Sequence, residues 1–410
     1  MNCRTCRDTG RITLYRKVLD FNPSSPLQVS NLIRYFNLKM PRKRGENRET
    51  TEARYLKRFV GQARRSGESK EAAEQRREAF QLILDYRERQ KLASTYLWQL
   101  DANDSVHTTY NIKPSTLRRA SSAPNLQNIP KRSDLAQQFR KMLIAAPGHL
   151  LIEADAEAIE AVLVGYCAGS EEYVRICKAG LHGFMAAILA KQPIPYDLPY
   201  SELRQRCKEA KRKFGSGNGR TEYDTAKRGD HAINYLLSAY GLHDEYAEYF
   251  PTLKSAHEYL DLYFSLPFGA AIQKWQQDTI YRAHRETYLE NHWRYRHYFW
   301  SALTFDKATN SWKPGPDAKR AVAFVPQSDA SAIQSEVLRR LAARGEEVRS
   351  WLRLVIHDSI VLEVPEKAVD DACKVVYNAM VEPIAELGGL SIGAEVLVGK
   401  SLGTMEEWKP

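Results

Sequence analysis

The sequence predicts an α+β protein in which a strand-bearing domain is split by a helical insertion. Three observations lead there. Helical periodicity opens the chain from about residue 21. Two apolar, strand-like runs, "HLLIEAD" (149–155) and "LRLVIHDSIVLEVP" (352–365), stand far apart. The stretch between them, about 170–300, reads as mostly helix. No internal repeats are visible.

Each element follows from local chemistry. Ser24 and Ser25 before Pro26 are a cap followed by a first-turn proline, so a helix starts there. Phe80, Ile83, Leu84 and Leu92 recur at helical spacing and predict a long amphipathic helix, or a pair, over 70–98. "WQLDANDSVHTTYNIKPS" supplies turn residues that close this region. "HLLIEAD" predicts a buried strand and "AEAIEAVLVGYCAG" a helix after it. "GSGNGR" (215–220) lacks the lysine and hydroxyl of a phosphate-cradling loop and reads as a plain loop. The end returns to strands around a helix near 366–386, closing with "SIGAEVLVG".

At 410 residues, with 43% hydrophobic and 27% charged side chains, the chain is long enough for two or three subdomains with a real core. "MNCRTCRDTGRITLYRK" has no apolar h-region, and no uncharged run approaches membrane-spanning length, so a cytoplasmic, non-membrane protein is expected. The net charge of +10 is concentrated in residues 40–70 and 204–220. Either run alone fits a solvated helix face; together they suit a polyanion, most commonly a phosphate backbone. Of six cysteines only Cys3 and Cys6 are close, and a zinc site normally needs two further ligands at similar spacing.

Two carboxylates stand at the ends of strand-like runs: Asp155 closes "LLIEAD", and Asp358 interrupts two apolar runs. Aspartate is a common turn residue, which is the ordinary explanation for either alone. Taken together they form a minimal platform for Mg²⁺, which takes one or two protein carboxylates and completes its shell with water and substrate phosphates. Two such ions about 4 Å apart activate an attacking oxygen and stabilise a leaving one. In "AKRGDHAINYLLSAYG", Lys227, His231 and Tyr235 fall at i, i+4 and i+8, on one helix face. A cation, an imidazole and a ring in a column suit a nucleoside triphosphate; a partly buried helix with polar edge residues has the same spacing.

"TLRRASSAPNLQNIP" (116–130), "LLIEADAEAIEAVLVGYCAG" and "VIHDSIVLEVP" occur in the order found in family A DNA polymerases, the bacterial DNA polymerase I type, and closely resemble their segments. "FNPSSPLQ" and "YRERQKLASTYL" resemble the family's thumb, and "IGAEVLVGKSLG" its last strand. The resemblance covers about 21–410. It implies a right-hand polymerase with an antiparallel palm sheet, a helical fingers insertion and a helical thumb. The expected organisation is an appendage over 1–20, thumb over 21–112, palm over 113–165 and 320–410, and fingers over 166–319.

Carried over by position, the resemblance implies that Asp155, Asp358 and the Ala156 carbonyl hold two Mg²⁺ ions, with Mn²⁺ able to substitute. Glu160 matches the steric gate against a ribose 2′-OH; its alternative is a helix-surface carboxylate. Lys227 would meet the outer phosphates, and His231, where the family has lysine, the α-phosphate and leaving pyrophosphate. Tyr235 would stack on the incoming pair and close the sugar pocket, and His182 would contact phosphate. Arg118, Gln327 and His357 match positions that touch the primer–template minor groove. Gln327 alternatively reads as a polar residue at a helix N-terminus. Arg132 and Arg140 are candidates for phosphate contact, and Arg320 for the template side. Leu236 replaces the family's glycine, Ala158 its glutamine, Ser359 its glutamate, and Leu181 the Asp before the histidine. Tyr240 has no secure register.

The implied function is template-directed DNA synthesis from dNTPs on primer–template DNA, by a monomer working near the nucleoid with accessory replication proteins. The roughly 20 residues before the thumb are too few for a proofreading exonuclease. Small size and the variant helix resemble phage members more than the cellular repair enzyme. Two alternatives are a non-catalytic DNA-binding remnant and a relative using RNA or ribonucleotides.

Overall fold

The computed structural model describes residues 21–42, 48–96, 100–112, 115–129, 134–215 and 221–409. Cys3, Cys6, Arg132 and the glycine-rich 216–220 lie outside them. Contacts divide the chain into two units, Met1–Gln99 and Leu100–Pro410.

The first unit is helical: α1 (Pro26–Tyr35), α2 (Ala53–Gly61) and α3 (Lys70–Tyr96). Ser25 caps α1, its side chain accepting from the Gln28 amide, with Pro26 in the first turn, as the sequence predicts. Val29, Ile33, Leu56, Phe59, Phe80 and Ile83 form its core. Arg76 is fully buried among them. A buried guanidinium must be satisfied. It donates to the Phe59 carbonyl (2.6 Å) and to Glu68 (2.9 Å).

The second unit begins earlier than expected. Residues 100–112, assigned above to the thumb, belong with it, because β1 (Thr109–Ile112) pairs with β2 (Arg119–Ser122). The helix α4 (Asp134–Lys141) leads into β3 (His149–Ala156). Then come α5 (Ile159–Cys167), α6 (Glu171–Leu189), α7 (Tyr200–Gly215), α8 (Glu222–Asn234), α9 (Ala239–Glu245), α10 (Leu253–Ser265) and α11 (Gly269–Glu286). The expected run of helix to about 300 ends sooner, in two hairpins. One is β4 (Tyr288–Glu290) with β5 (Arg296–Tyr298); the other is β6 (Leu303–Asp306) with β7 (Ser311–Pro314). Their aromatic and β-branched residues favour extended chain over helix. The chain closes with α12 (Ala318–Ala342), α13 (Glu346–Trp351), β8 (Leu352–Ile356), β9 (Ser359–Pro365), α14 (Val369–Val381), β10 (Ala394–Gly399) and β11 (Glu406–Glu407).

The molecule is therefore α+β. Its main sheet is five-stranded and antiparallel, in the order β11-β10-β3-β9-β8. Strand alternation sends Ile152, Ala154, Ile360 and Leu362 to the large core. Leu151 and Val361 go to the opposite face, with Ile356 and Leu402. Burial on both faces explains why β3 and β9 read as continuous apolar runs. No described helix is long and apolar enough to cross a membrane.

In the first unit, hydrogen bonds from the Arg76 guanidinium and then the Arg65 amide hold Glu68 down to about 2, from an ordinary 4.5. A depressed carboxylate stabilises the fold fully above its unfolded pKa and loses that contribution as pH falls through the folded one. Glu68→Gln should lower stability at neutral pH, and the gap to wild type should close between pH 4.5 and about 2. Urea unfolding of the whole chain at stepped pH, followed by circular dichroism, measures it.

Candidate active site

The centre is built on the β3–β9 ladder. Asp155 faces Ser359 on β9 and Glu395 on β10. One step further, the Ala156 amide donates to the Asp358 carbonyl (3.4 Å). Asp358 thus sits in the β8–β9 turn, at the end of the ladder that carries Asp155. His357, before it, adopts the left-handed conformation that makes so tight a turn. Both aspartates and Ala156 line one cleft of about 510 Å³. Asp155 is exposed and Asp358 half-buried. Burial pushes the Asp358 carboxyl upward, against the pull of Arg118 and His357. A desolvated carboxylate of this kind is stabilised in its charged form by a cation. Two hard-oxygen side chains at a cleft floor fit Mg²⁺, which draws its remaining ligands from water and phosphate. Among the described residues no group of three or more His, Cys, Asp or Glu forms a closed metal cage.

The opposite wall comes from α8. Lys227 and His231 line the cleft from the helix, and Tyr235, its C-cap residue, lies just past its end. Desolvation, then the neighbouring His182, Arg118, Lys227 and Arg228, lower the His231 pKa. Its ring meets Tyr235 edge-on (5.1 Å). The Tyr235 hydroxyl donates to Glu160 Oε2 (2.6 Å), and Arg118 donates to the other oxygen. Glu160 is thus a clamped carboxylate in the first turn of α5, not a solvated helix-surface one. Burial drives the Tyr235 phenol well above its usual range. Leu236 follows with φ +62°, a conformation that favours glycine.

His182 donates through Nδ1 to Asp230 (2.8 Å), which also accepts from the Tyr259 hydroxyl (2.6 Å). Asp230 is fully buried, and burial raises its pKa against both hydrogen bonds. Sequence reasoning misses it. The available signal is its place on the apolar face of α8, four residues after Ala226 and three before Ile233, both buried. Also missed are Lys208 and Lys211 of α7, which line the same cleft.

A second cleft, of about 450 Å³, shares His231 and Tyr235 and is lined by Gln327 and Arg320. Gln327 lies well inside α12 rather than at its start, directly after a mid-helix proline. Arg320 pairs with Asp317 (2.9 Å) and donates to His297 Nε2 (3.1 Å). His357 is exposed beside the first cleft. One arginine departs from expectation. Arg140 is buried, pairing with Glu153 (2.9 Å) and donating to the Leu402 carbonyl, so it holds the sheet rather than phosphate. Arg118 is engaged by Glu160 in this structure. Tyr240 is exposed on α9 and lines neither cleft.

Residues 8–408 match the family profile described as DNA polymerase family A. The chain belongs to that family. It is 30% identical over 311 residues to the thermostable DNA polymerase I of Thermus filiformis, and 28% over 316 residues to that of Thermus aquaticus. These alignments cover 73% and 74% of this chain but 33% and 34% of the relatives, so the chain spans about a third of their length. The fold is that of the POL domain of Pol1 from M. smegmatis, solved in complex with DNA primer-template and dNTP. The TM-score is 0.69 at 21% identity, covering 93% of this chain and 61% of that one.

Gly229 explains part of the α8 geometry. A Cβ there would run into the Tyr259 ring that hydrogen-bonds Asp230. Gly229→Ala should destabilise the chain by about 1–3 kcal/mol despite the better helix propensity of alanine. Chemical denaturation of the variant provides the measurement.

Proposed function

We propose that this chain is a template-directed DNA polymerase that adds dNTPs to a primer 3′-hydroxyl. The observation that carries the reading is that Asp155, at the end of β3, and Asp358, in the β8–β9 turn, line one cleft with Lys227, His231 and Tyr235. Family membership supports the chemistry, and the M. smegmatis domain of the same fold was solved with the same partners, primer-template DNA and dNTP. In this reading the main sheet is the palm, α6 to α11 with the two hairpins are the fingers, and the first unit is the thumb.

Asp155, Asp358 and the Ala156 carbonyl would hold two Mg²⁺ ions, which when bound supply activation of the attacking hydroxyl and neutralisation of the departing pyrophosphate. This chain's own groups do the positioning. Lys227 takes the outer phosphates as a fixed charge. His231, with its lowered pKa, is mostly neutral near pH 7 and serves as a hydrogen-bonding partner near the α-phosphate rather than a permanent cation. His182, oriented by buried Asp230, supplies a ring nitrogen to the triphosphate. Glu160 is held by Tyr235 and Arg118, so a ribose 2′-OH would meet an already satisfied carboxylate. Gln327 and Arg320, on the second cleft, suit the duplex and the template strand; His357, exposed next to Asp358, suits the primer–template minor groove.

Primer extension with Mg²⁺ and four dNTPs tests the reading. Asp155→Asn and Asp358→Asn should each reduce extension by at least about a thousandfold, with primer–template binding retained. Wild-type protein that binds DNA but extends nothing would leave a DNA-binding remnant. Glu160→Ala should raise ribonucleotide incorporation relative to dNTP in single-turnover assays. Unchanged ribonucleotide use would overturn the gate assignment.

A further inference from the structure

Ten aromatic side chains stand exposed among the described residues, and five of them fall between Tyr281 and Trp312: Tyr281, Tyr298, Trp300, Phe305 and Trp312. Scattered exposed rings need no explanation, but a concentration of them marks an interaction site. The two hairpins present them in an ordered way. Along β5 and the residues after it, His297 and Phe299 turn inward and line the second cleft. Tyr298 and Trp300 alternate outward and stack on each other, 5.8 Å apart at 11°. On the next hairpin Trp312 meets Phe305 (5.4 Å) and His284 of α11 (4.9 Å). Trp300 is 74% exposed and Trp312 53%, so neither ring is spent on the core.

The charge around these rings is net positive. Residues 281–320 hold eight Lys and Arg against four Asp and Glu. Each of the four carboxylates is already matched by a cation: Glu286 by Arg285, Glu290 by Arg294 and Arg296, Asp306 by Lys313, and Asp317 by Arg320. Flat exposed rings among surplus cations are what a single-stranded nucleic acid needs: a face for each base and a counter-charge for each phosphate. A basic protein partner would be served by the rings, but the four carboxylates beside them are already paired with cations.

We propose that the outward face of the two hairpins, centred on Trp300 and Trp312, is a stacking platform for the single-stranded template ahead of the insertion site. The proposal rests on the polymerase reading above, since that reading supplies the strand. Continuity supports it. The strand whose outward residues form the stack sends its inward residues into the cleft that also holds Tyr235, Gln327 and Arg320.

The test uses the full chain and two primer–templates with the same duplex, one with a single-nucleotide 5′ template overhang and one with an overhang of about twelve nucleotides, within the usual site size for such surfaces. Wild-type protein should bind the long overhang more tightly. Trp300→Ala with Trp312→Ala should lose roughly tenfold or more on the long overhang, the scale of one or two stacked bases, and little on the short one. Trp300→Phe with Trp312→Phe, which keeps flat rings, should restore most of the preference and controls for folding. Equal affinity of wild type for both substrates, an overhang preference unmoved by the alanines, or equal losses on both substrates would each overturn the platform. Single-nucleotide incorporation on the short overhang is read in parallel; its absence in wild type is failure of the polymerase reading and leaves the binding comparison to judge the platform.

Discussion

The structure depends on the pairing of β3 with β9. It brings together segments two hundred residues apart in sequence and is buried on both faces, so its register is fixed by apolar packing: a slip of one residue would turn Ile152, Ala154, Ile360 and Leu362 out of the large core. The same register sets Asp155 opposite Ser359 and leaves Asp358 next to Ala156 at the ladder's end. Two carboxylates are thus brought to one cleft by hydrocarbon that has no stake in them. Burial of the Asp358 carboxyl raises its pKa in the protein alone, a cost that a cation would offset.

Around that floor, the helices act as carriers of counter-charge. α8 is positioned by what lies behind it. Gly229 lets Tyr259 approach, Tyr259 reaches Asp230, and Asp230 fixes His182 on the neighbouring helix. A hydrogen-bonded chain of this sort, buried and satisfied, gives the helix a single rotational setting. That setting aims Lys227 and His231 into the cleft while Tyr235, already beyond the last helical turn, bends toward Glu160.

Much of this is legible in the sequence. The two apolar runs, the serine–proline cap of α1, and the column Lys227, His231, Tyr235 each follow a local rule of period or capping, and local rules survive into the fold. The less legible parts are those that depend on distant partners. Arg140 reads as one more basic residue in a basic protein, yet it is buried because Glu153, on the face of β3 that carries Leu151, pairs with it. The hairpin at 288–298 falls inside the stretch read as helix to about 300, although its aromatic residues already favour extended chain. Gln327 reads as a residue near a helix start because proline usually marks one; here α12 runs through Pro326. Residues 100–112 join the second unit because β1 needs β2.

The clamp on Glu160 has a mechanical corollary. One of its oxygens answers to Tyr235 at the end of α8, the other to Arg118 in the segment before β2. Were α8 to swing outward, the tyrosine would leave with it, and the carboxylate would keep a single partner and gain room to turn. In the proposed reaction, the filter that tells one sugar from another would therefore exist only while the helix is home, so scrutiny of the sugar and commitment of the helix would be two readings of a single displacement.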